Sequence, residues 1–175
     1  MADTLDLSQT TNNDADQVYG ARWSGQTFKP TYTAPIPKLE LYGGKIGTPA
    51  GNATVGIYAT SSNLPTGSSL CTATATAANW TVNTWQTFTF VSPYTLTAGT
   101  QYAIVLDCSA GDSSNYIRWN CQSSGNVYAD GRHCISPDSG GTWANYTADR
   151  DATFKTYYTP SVSIKRFLCS LGVGK

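Results

Sequence analysis

One histidine, one methionine and one glutamate in 175 residues leave this chain poor in catalytic groups and in strong helix formers. Charged residues make up 13%, about half the usual share. Eleven Lys and Arg balance eleven Asp and Glu, so the net charge is zero and no basic surface is on offer to nucleic acid. No apolar run approaches the roughly 18 residues that a membrane helix needs. The start, Met1-Ala2-Asp3-Thr4-Leu5-Asp6-Leu7-Ser8, has neither a basic beginning nor an apolar core, so a signal peptide is not expected. No internal repeat is present, which argues against a propeller or solenoid. The cysteines are odd in number (Cys71, Cys108, Cys121, Cys134 and Cys169) and no two have CxxC spacing. They read as buried free thiols, with one or two bridges formed after release as the alternative.

The same shortages bear on catalysis. A Ser/His/Asp mechanism would have to use His133, which follows the Asp130-Gly131 dipeptide by two residues, and no GxSxG elbow accompanies it. His133 reads as a surface hairpin residue. A glycosidase needs two carboxylates with separated pKa values. The densest acidic cluster, Asp149-Arg150-Asp151, holds an arginine that would lower both. No catalytic residue is assigned. One histidine and scattered cysteines give no transition-metal spacing, and no cofactor is expected. A structural calcium ion is compatible with the Asp- and Asn-rich stretch Asp107 to Asn115.

Thr, Ser, Gly and Asn fill the space that charge leaves, a composition of strands and turns. The chain is organised around Leu96 to Cys108. Gly99 sits where a turn needs a residue without Cβ, and Tyr102 to Cys108 is apolar on both faces, as a central strand should be. Before it, Val18 to Trp23 and Gln26 to Tyr32 read as a pair around Ser24-Gly25. Leu39 and Leu41 alternate with polar neighbours, and Val55 and Ile57 share a face. Asn63 to Gly67 reads as a turn; Leu70 to Thr76 and Trp85 to Val91 read as strands. After it come Tyr116 to Cys121, a hairpin at Asp130-Gly131 within Val127 to Ile135, a second turn at Ser136 to Thr142, and a last strand, Thr153 to Tyr158. About ten short strands predict an all-β fold, a two-sheet antiparallel β-sandwich of jelly-roll type spanning residues 17–160.

Two segments flank it. Residues 1–16 carry four acids and no bases (−4), and residues 161–175 carry Lys165, Arg166 and Lys175 and no acids (+3). Both read as arms. The C-terminal one has four apolar residues, Ile164, Phe167, Leu168 and Leu171, that need a surface to bury against, on this domain or on a neighbour.

Ser136-Pro137-Asp138-Ser139-Gly140-Gly141-Thr142-Trp143 fits S-x-D-x-G-x-T-W and resembles the Asp-box of sialidases and other secreted β proteins. The resemblance implies a structural hairpin turn in which Asp138 accepts backbone N–H groups and Trp143 packs beneath. It does not imply sialidase activity. Five Trp and eleven Tyr remain as material for a sandwich core or for stacking on sugars. Trp119 and Phe88 read as core. Trp80, beside Asn79 in a polar stretch, reads as exposed, and Trp80 and Trp143 are the sugar-stacking candidates.

Gly25 to Tyr158, about three-quarters of the chain, resembles a family of carbohydrate-binding-module-like jelly-roll domains found in phage and other virion proteins and in bacterial surface proteins. The residues that carry this are Gly25-Gln26-Thr27-Phe28, Val55-Gly56-Ile57-Tyr58, Leu64-Pro65-Thr66-Gly67, Trp85-Gln86-Thr87-Phe88, Leu96 to Tyr102 and Asp151 to Tyr157. The resemblance implies an accessory role: binding, decorating or stiffening. With no signal peptide, the expectation is a non-enzymatic virion protein. It would be a capsid decoration or cement subunit, or a tail component, made in the host cytoplasm. Its partners would be the major capsid or tail protein or copies of itself, and neither nucleic acid nor membrane. Ile164, Lys165, Arg166, Phe167, Leu168 and Leu171 at one end and Asp3 and Asp6 at the other would make the assembly contacts. The alternative is a carbohydrate-binding or host-attachment domain that uses loop aromatics.

Overall fold

The computed structural model describes residues 2–146 and 149–160. In chain order the strands are β1 (Thr4–Gln9), β2 (Asp14–Val18), β3 (Trp23–Phe28), β4 (Ala34–Pro35), β5 (Lys38–Ile46), β6 (Asn52–Ser61), β7 (Leu64–Thr76), β8 (Thr84–Thr89), β9 (Thr95–Leu96), β10 (Tyr102–Asp107), β11 (Tyr116–Gln122), β12 (His133–Ser136), β13 (Ala144–Asn145), β14 (Asp151–Ala152) and β15 (Phe154–Tyr158). They form the expected antiparallel β-sandwich. One sheet has the order β13-β12-β3-β10-β6-β7. The other runs β1-β15-β5-β11-β14, with β2 added on β11 and β8 on β5. The short pair β4-β9 closes one end.

The core lies between the sheets, where Phe28, Ile57, Ile104 and Leu106 of one meet Leu39, Leu41, Ile117, Trp119 and Phe154 of the other, all without solvent exposure. Strand alternation explains the set: Ile104 pairs with Ile57 across the ladder, so both side chains leave the same face. β10 is the central strand that its sequence predicted, with β3 on one side and β6 on the other. Gln26, also inward, ties the sheets together. Its Oε1 accepts the Ala152 N–H at 2.7 Å and its Nε2 donates to Asp151 Oδ1 at 3.2 Å. Within the second sheet, Trp119 donates Nε1–H to the Thr153 carbonyl at 2.7 Å. Trp119→Phe should therefore cost about 2 kcal/mol, from the orphaned carbonyl and the lost ring volume. A denaturant melt reads this, and an unchanged midpoint would refute it.

Four sequence expectations are corrected. Residues 1–16 are no arm: β1 pairs along β15 and β2 along β11, because alternation in Leu5, Leu7 and Gln9 and in Asp16 and Val18 suffices for an edge strand. Trp23 to Phe28 is one continuous strand, not half of a pair broken at Ser24-Gly25; the chain turns earlier, at a Tyr19–Arg22 bridge. The turn placed at Asn63 to Gly67 is shorter, at Ser62 and Asn63 with φ of 52° and 63°, and β7 starts at Leu64. Asp130-Gly131 makes no hairpin, since the ladder begins only at His133. Gly131 is there for another reason: an added Cβ would lie 1.8 Å from the Thr27 carbonyl oxygen. The proposed C-terminal contacts Ile164, Lys165, Arg166, Phe167, Leu168 and Leu171 lie outside the described residues.

Candidate functional site

Two glycines in adjacent central strands shape the outer face of the six-stranded sheet. Val105 pairs with Gly25 on one side and with Gly56 on the other, so the row Gly25–Val105–Gly56 has no side chain at either flank. Aromatic rings occupy the space. A Cβ on Gly25 would sit 3.2 Å from Trp143 Cζ3, and one on Gly56 would sit 2.7 Å from Tyr58 Cε2. Glycine inside a strand often marks such a close approach. Trp23, at the start of β3, is covered in part by Gly140, whose φ is +84°. Together Trp23, Tyr58 and Trp143 line a groove of about 330 Å³, with Ser68, Ser69 and Ser139 along its rim. Its lining contains no charged side chain.

The turn that presents Trp143 is held by its own hydrogen bonds. Asp138 Oδ1 accepts the Thr142 N–H at 2.7 Å and the Ser136 hydroxyl at 2.8 Å, while Oδ2 accepts the Thr142 hydroxyl at 2.8 Å. Gly140 N–H donates to Ser136 Oγ at 2.8 Å. The Thr142 N–H, then the two hydroxyls, hold the Asp138 carboxyl below its ordinary range. This is the hairpin device that the S-x-D-x-G-x-T-W pattern implied, joining β12 to β13. It places Ser139, Gly140 and Trp143 in the groove as one piece.

Of the two sugar-stacking candidates, the groove contains Trp143 and not Trp80. Trp80 is 1% exposed, edge-on to Phe88 with centroids 5.8 Å apart. The short 3-10 turn Ala77–Asn79 directs the indole inward in spite of its polar neighbours. Trp23 and Tyr58 went unsingled in the sequence. The signal for them was a glycine at the centre of each of two strands, Gly25 and Gly56, and it becomes readable only when register sets the two in one row.

His133 is likewise corrected: it is 1% exposed, not a surface residue. Ser24 Oγ lies 2.6 Å from its Nε2, and Asp16 Oδ2 lies 3.7 Å from the same nitrogen. A catalytic triad needs serine and carboxylate on opposite ring nitrogens and an open nucleophile. Here Nδ1 has no partner among the described residues, and Ser24 is fully buried. The arrangement is a tie between strands. Arg22 Nη2 and the Tyr146 hydroxyl both donate to Asp16 Oδ1, at 2.8 and 2.7 Å. Arg150 packs over the Tyr146 ring at 4.4 Å and pairs with Asp14 at 3.2 Å. Burial pushes Asp16 up, but His133, Arg22 and Tyr146 outweigh it and hold the carboxyl below the usual range.

Burial is also the main cause that lowers His133 to about 4, against 6.5 when free, and Asp16 offsets it only in part. The unfolded chain therefore binds the extra proton first. The contribution of neutral His133 to stability is complete above about pH 6.5 and is lost as pH falls to 4, amounting to about 3 kcal/mol. Denaturant midpoints measured between pH 7.5 and 4 should fall accordingly in the native protein and much less in His133→Asn. A flat native profile would refute the assignment.

The remaining acidic residues do not assemble. Asp149 faces Arg132 at 3.5 Å, and Asp151 is buried and accepts the Tyr128 N–H at 3.0 Å. Asp112 turns back on its own loop, accepting the Ser114 N–H at 2.7 Å. Among the described residues no group of three or more His, Cys, Asp or Glu is placed to hold a metal ion. Asp6 accepts the Thr31 N–H at 3.2 Å, and Asp3, which is exposed, lies 3.4 Å from the Thr159 hydroxyl. Cys71, Cys108, Cys121 and Cys134 are buried free thiols, as expected, and burial pushes Cys134 up to about 12. No helix among the described residues is long and apolar enough to cross a membrane.

No family model matches the chain. No curated protein matches it either.

Proposed function

We propose that this protein is a non-enzymatic recognition domain and that its ligand is an uncharged saccharide held in the Trp23–Tyr58–Trp143 groove. The observation that carries this is the groove's composition: three half-buried aromatic rings, three serine hydroxyls and no charge. Sugar rings present an apolar face to aromatics and a polar edge to hydroxyls, and a small site of flat rings with few polar groups suits them. The test is a titration with a panel of neutral and acidic oligosaccharides, followed by tryptophan fluorescence. Saturable quenching by a neutral member is expected, and Trp143→Ala should weaken it by about 2 kcal/mol, roughly thirty-fold. Silence across the panel would sink the reading.

A virion is the setting we propose for this binding. The jelly-roll resemblance supports it, and host attachment and capsid decoration both need a stable accessory domain. With residues 4–9 and 14–18 built into a sheet, docking to a lattice falls to residues 161–175, whose Ile164, Phe167, Leu168 and Leu171 are the anchors. A density gradient of the native source, with mass spectrometry of each fraction, tests the setting. Banding with large particles supports it; confinement to the soluble or wall fraction removes it. A chain ending at Pro160 should stay folded and fail to incorporate.

A further inference from the structure

We propose that acid opens the groove: protonation of His133 frees the β12–β13 hairpin from the N-terminal strand β2, and the hairpin takes Trp143 with it. This rests on the groove being the ligand site and adds what controls it.

The hairpin that carries Trp143 is laddered to β3 along His133–Ser136, and its turn donates the Ser139 N–H to the Ala21 carbonyl at 2.8 Å; on the side of β2 one buried polar cluster holds it. His133 opens the hairpin and Tyr146 closes it, with the Tyr146 N–H donating to the His133 carbonyl at 3.2 Å and the two rings 4.9 Å apart. Both reach Asp16 of β2, Tyr146 through its hydroxyl and His133 at 3.7 Å. The Ser136–Thr142 bonds make the intervening turn rigid, so displacement at its base moves Trp143.

A proton on His133 meets one unpaired acceptor in that cluster, Asp16 Oδ2, which lies 3.7 Å from Nε2 and beyond hydrogen-bond reach. From β2 it would face Asp14 and Asp16; from the turn before β3, Arg22; from the segment before β14, Arg150; and from its own hairpin, Tyr146. Asp16 Oδ1 is already occupied by Arg22 and Tyr146. The two arginines oppose a third positive charge, and Nδ1 has no acceptor among the described residues. Trp119 closes the remaining side, its ring tilted 64° to the imidazole with centroids 5.9 Å apart. A buried imidazolium so placed is costly, and release of the hairpin into water removes the cost.

The size of the effect follows from the two titrations. An exposed His133 gains its proton near pH 6.5, and the buried one only near 4. The equilibrium for local opening should therefore rise on the order of 50-fold between pH 7 and pH 4.5.

Hydrogen exchange on the full chain at those two pH values tests it, corrected for intrinsic rates. Protection of the β12 and Tyr146 amides should fall by that factor while β6 and β7 hold theirs, and His133→Asn should abolish the difference. A saccharide that binds at pH 7 should bind more weakly at pH 4.5 in the native protein only, by the fall in the closed fraction that exchange measures. An equal fall in His133→Asn, or a uniform fall over all strands, would overturn the proposal. Local opening without saccharide binding at any pH would sustain the acid-opened hairpin and overturn the ligand reading alone. If His133→Asn does not fold, Tyr146→Phe serves instead. It removes the hydroxyl bond to Asp16 and should lower protection of the hairpin already at pH 7; unchanged protection would overturn the tie.

Discussion

Replacing Trp23 and Trp143 together with alanine is expected to abolish saccharide binding. Each indole offers one flat face to a sugar, about 80 Å² of apolar contact, worth about 2 kcal/mol at 25 cal/mol per Å². Losing both removes about 4 kcal/mol, close to a thousand-fold in Kd. Both rings lie on the outer face, half-buried, so the core between the sheets is untouched. The double variant should keep its unfolding free energy within about 2 kcal/mol of the native value. Trp143→Phe supplies the contrast: a smaller flat ring over Gly25 should retain much of the affinity. Calorimetric titration of all three variants decides the matter. Undiminished binding by the double variant would remove the groove from consideration.

Gly43→Ala is expected to be, with Gly131→Ala, one of the two most damaging single methyl additions among the described residues, at about 4 kcal/mol. Gly43 pairs with Trp119 where β5 passes from β15 to β11. An added Cβ would lie 2.0 Å from the Arg118 carbonyl oxygen and 3.3 Å from the Trp119 Cα. These are backbone atoms of the neighbouring strand, so no side chain can swing aside. The strands would have to part, breaking ladder bonds and displacing fully buried Trp119. Gly67→Ala is the control. Nothing lies within 4 Å of that Cβ, and the penalty is only that of φ +69°, about 1 kcal/mol. A denaturant series with Gly43→Ala no worse than Gly67→Ala would refute the account.

The elements that the sequence made legible share one property: their signal is local. Alternation in Leu39 and Leu41, the apolar faces of Tyr102 to Cys108 and the Ser136–Trp143 turn are each written within a few consecutive residues. The errors share the opposite property. Trp80 looked exposed because Asn79 precedes it, yet the indole goes where Phe88, eight residues on, leaves room. His133 looked like a turn residue because Asp130-Gly131 precedes it, yet Gly131 answers to the Thr27 backbone 104 positions earlier in the chain. Residues 1–16 looked too polar to hold a place, but an edge strand needs only one apolar face and a partner ladder.

Composition and periodicity thus determined that this chain would be an all-β sandwich centred on Tyr102 to Cys108, with buried thiols, and the Asp-box resemblance supplied the Asp138 turn. Backbone propensity and side-chain alternation act within a strand, so they can be read along it. Register between strands was decided only in the folded molecule. It sets Gly25, Val105 and Gly56 in a row under three aromatic rings and seals His133 between Asp16 and Ser24. Both groupings join residues far apart in sequence. The energies that select them, apolar burial and the cost of an unpaired charge, depend on what the whole sandwich excludes from water.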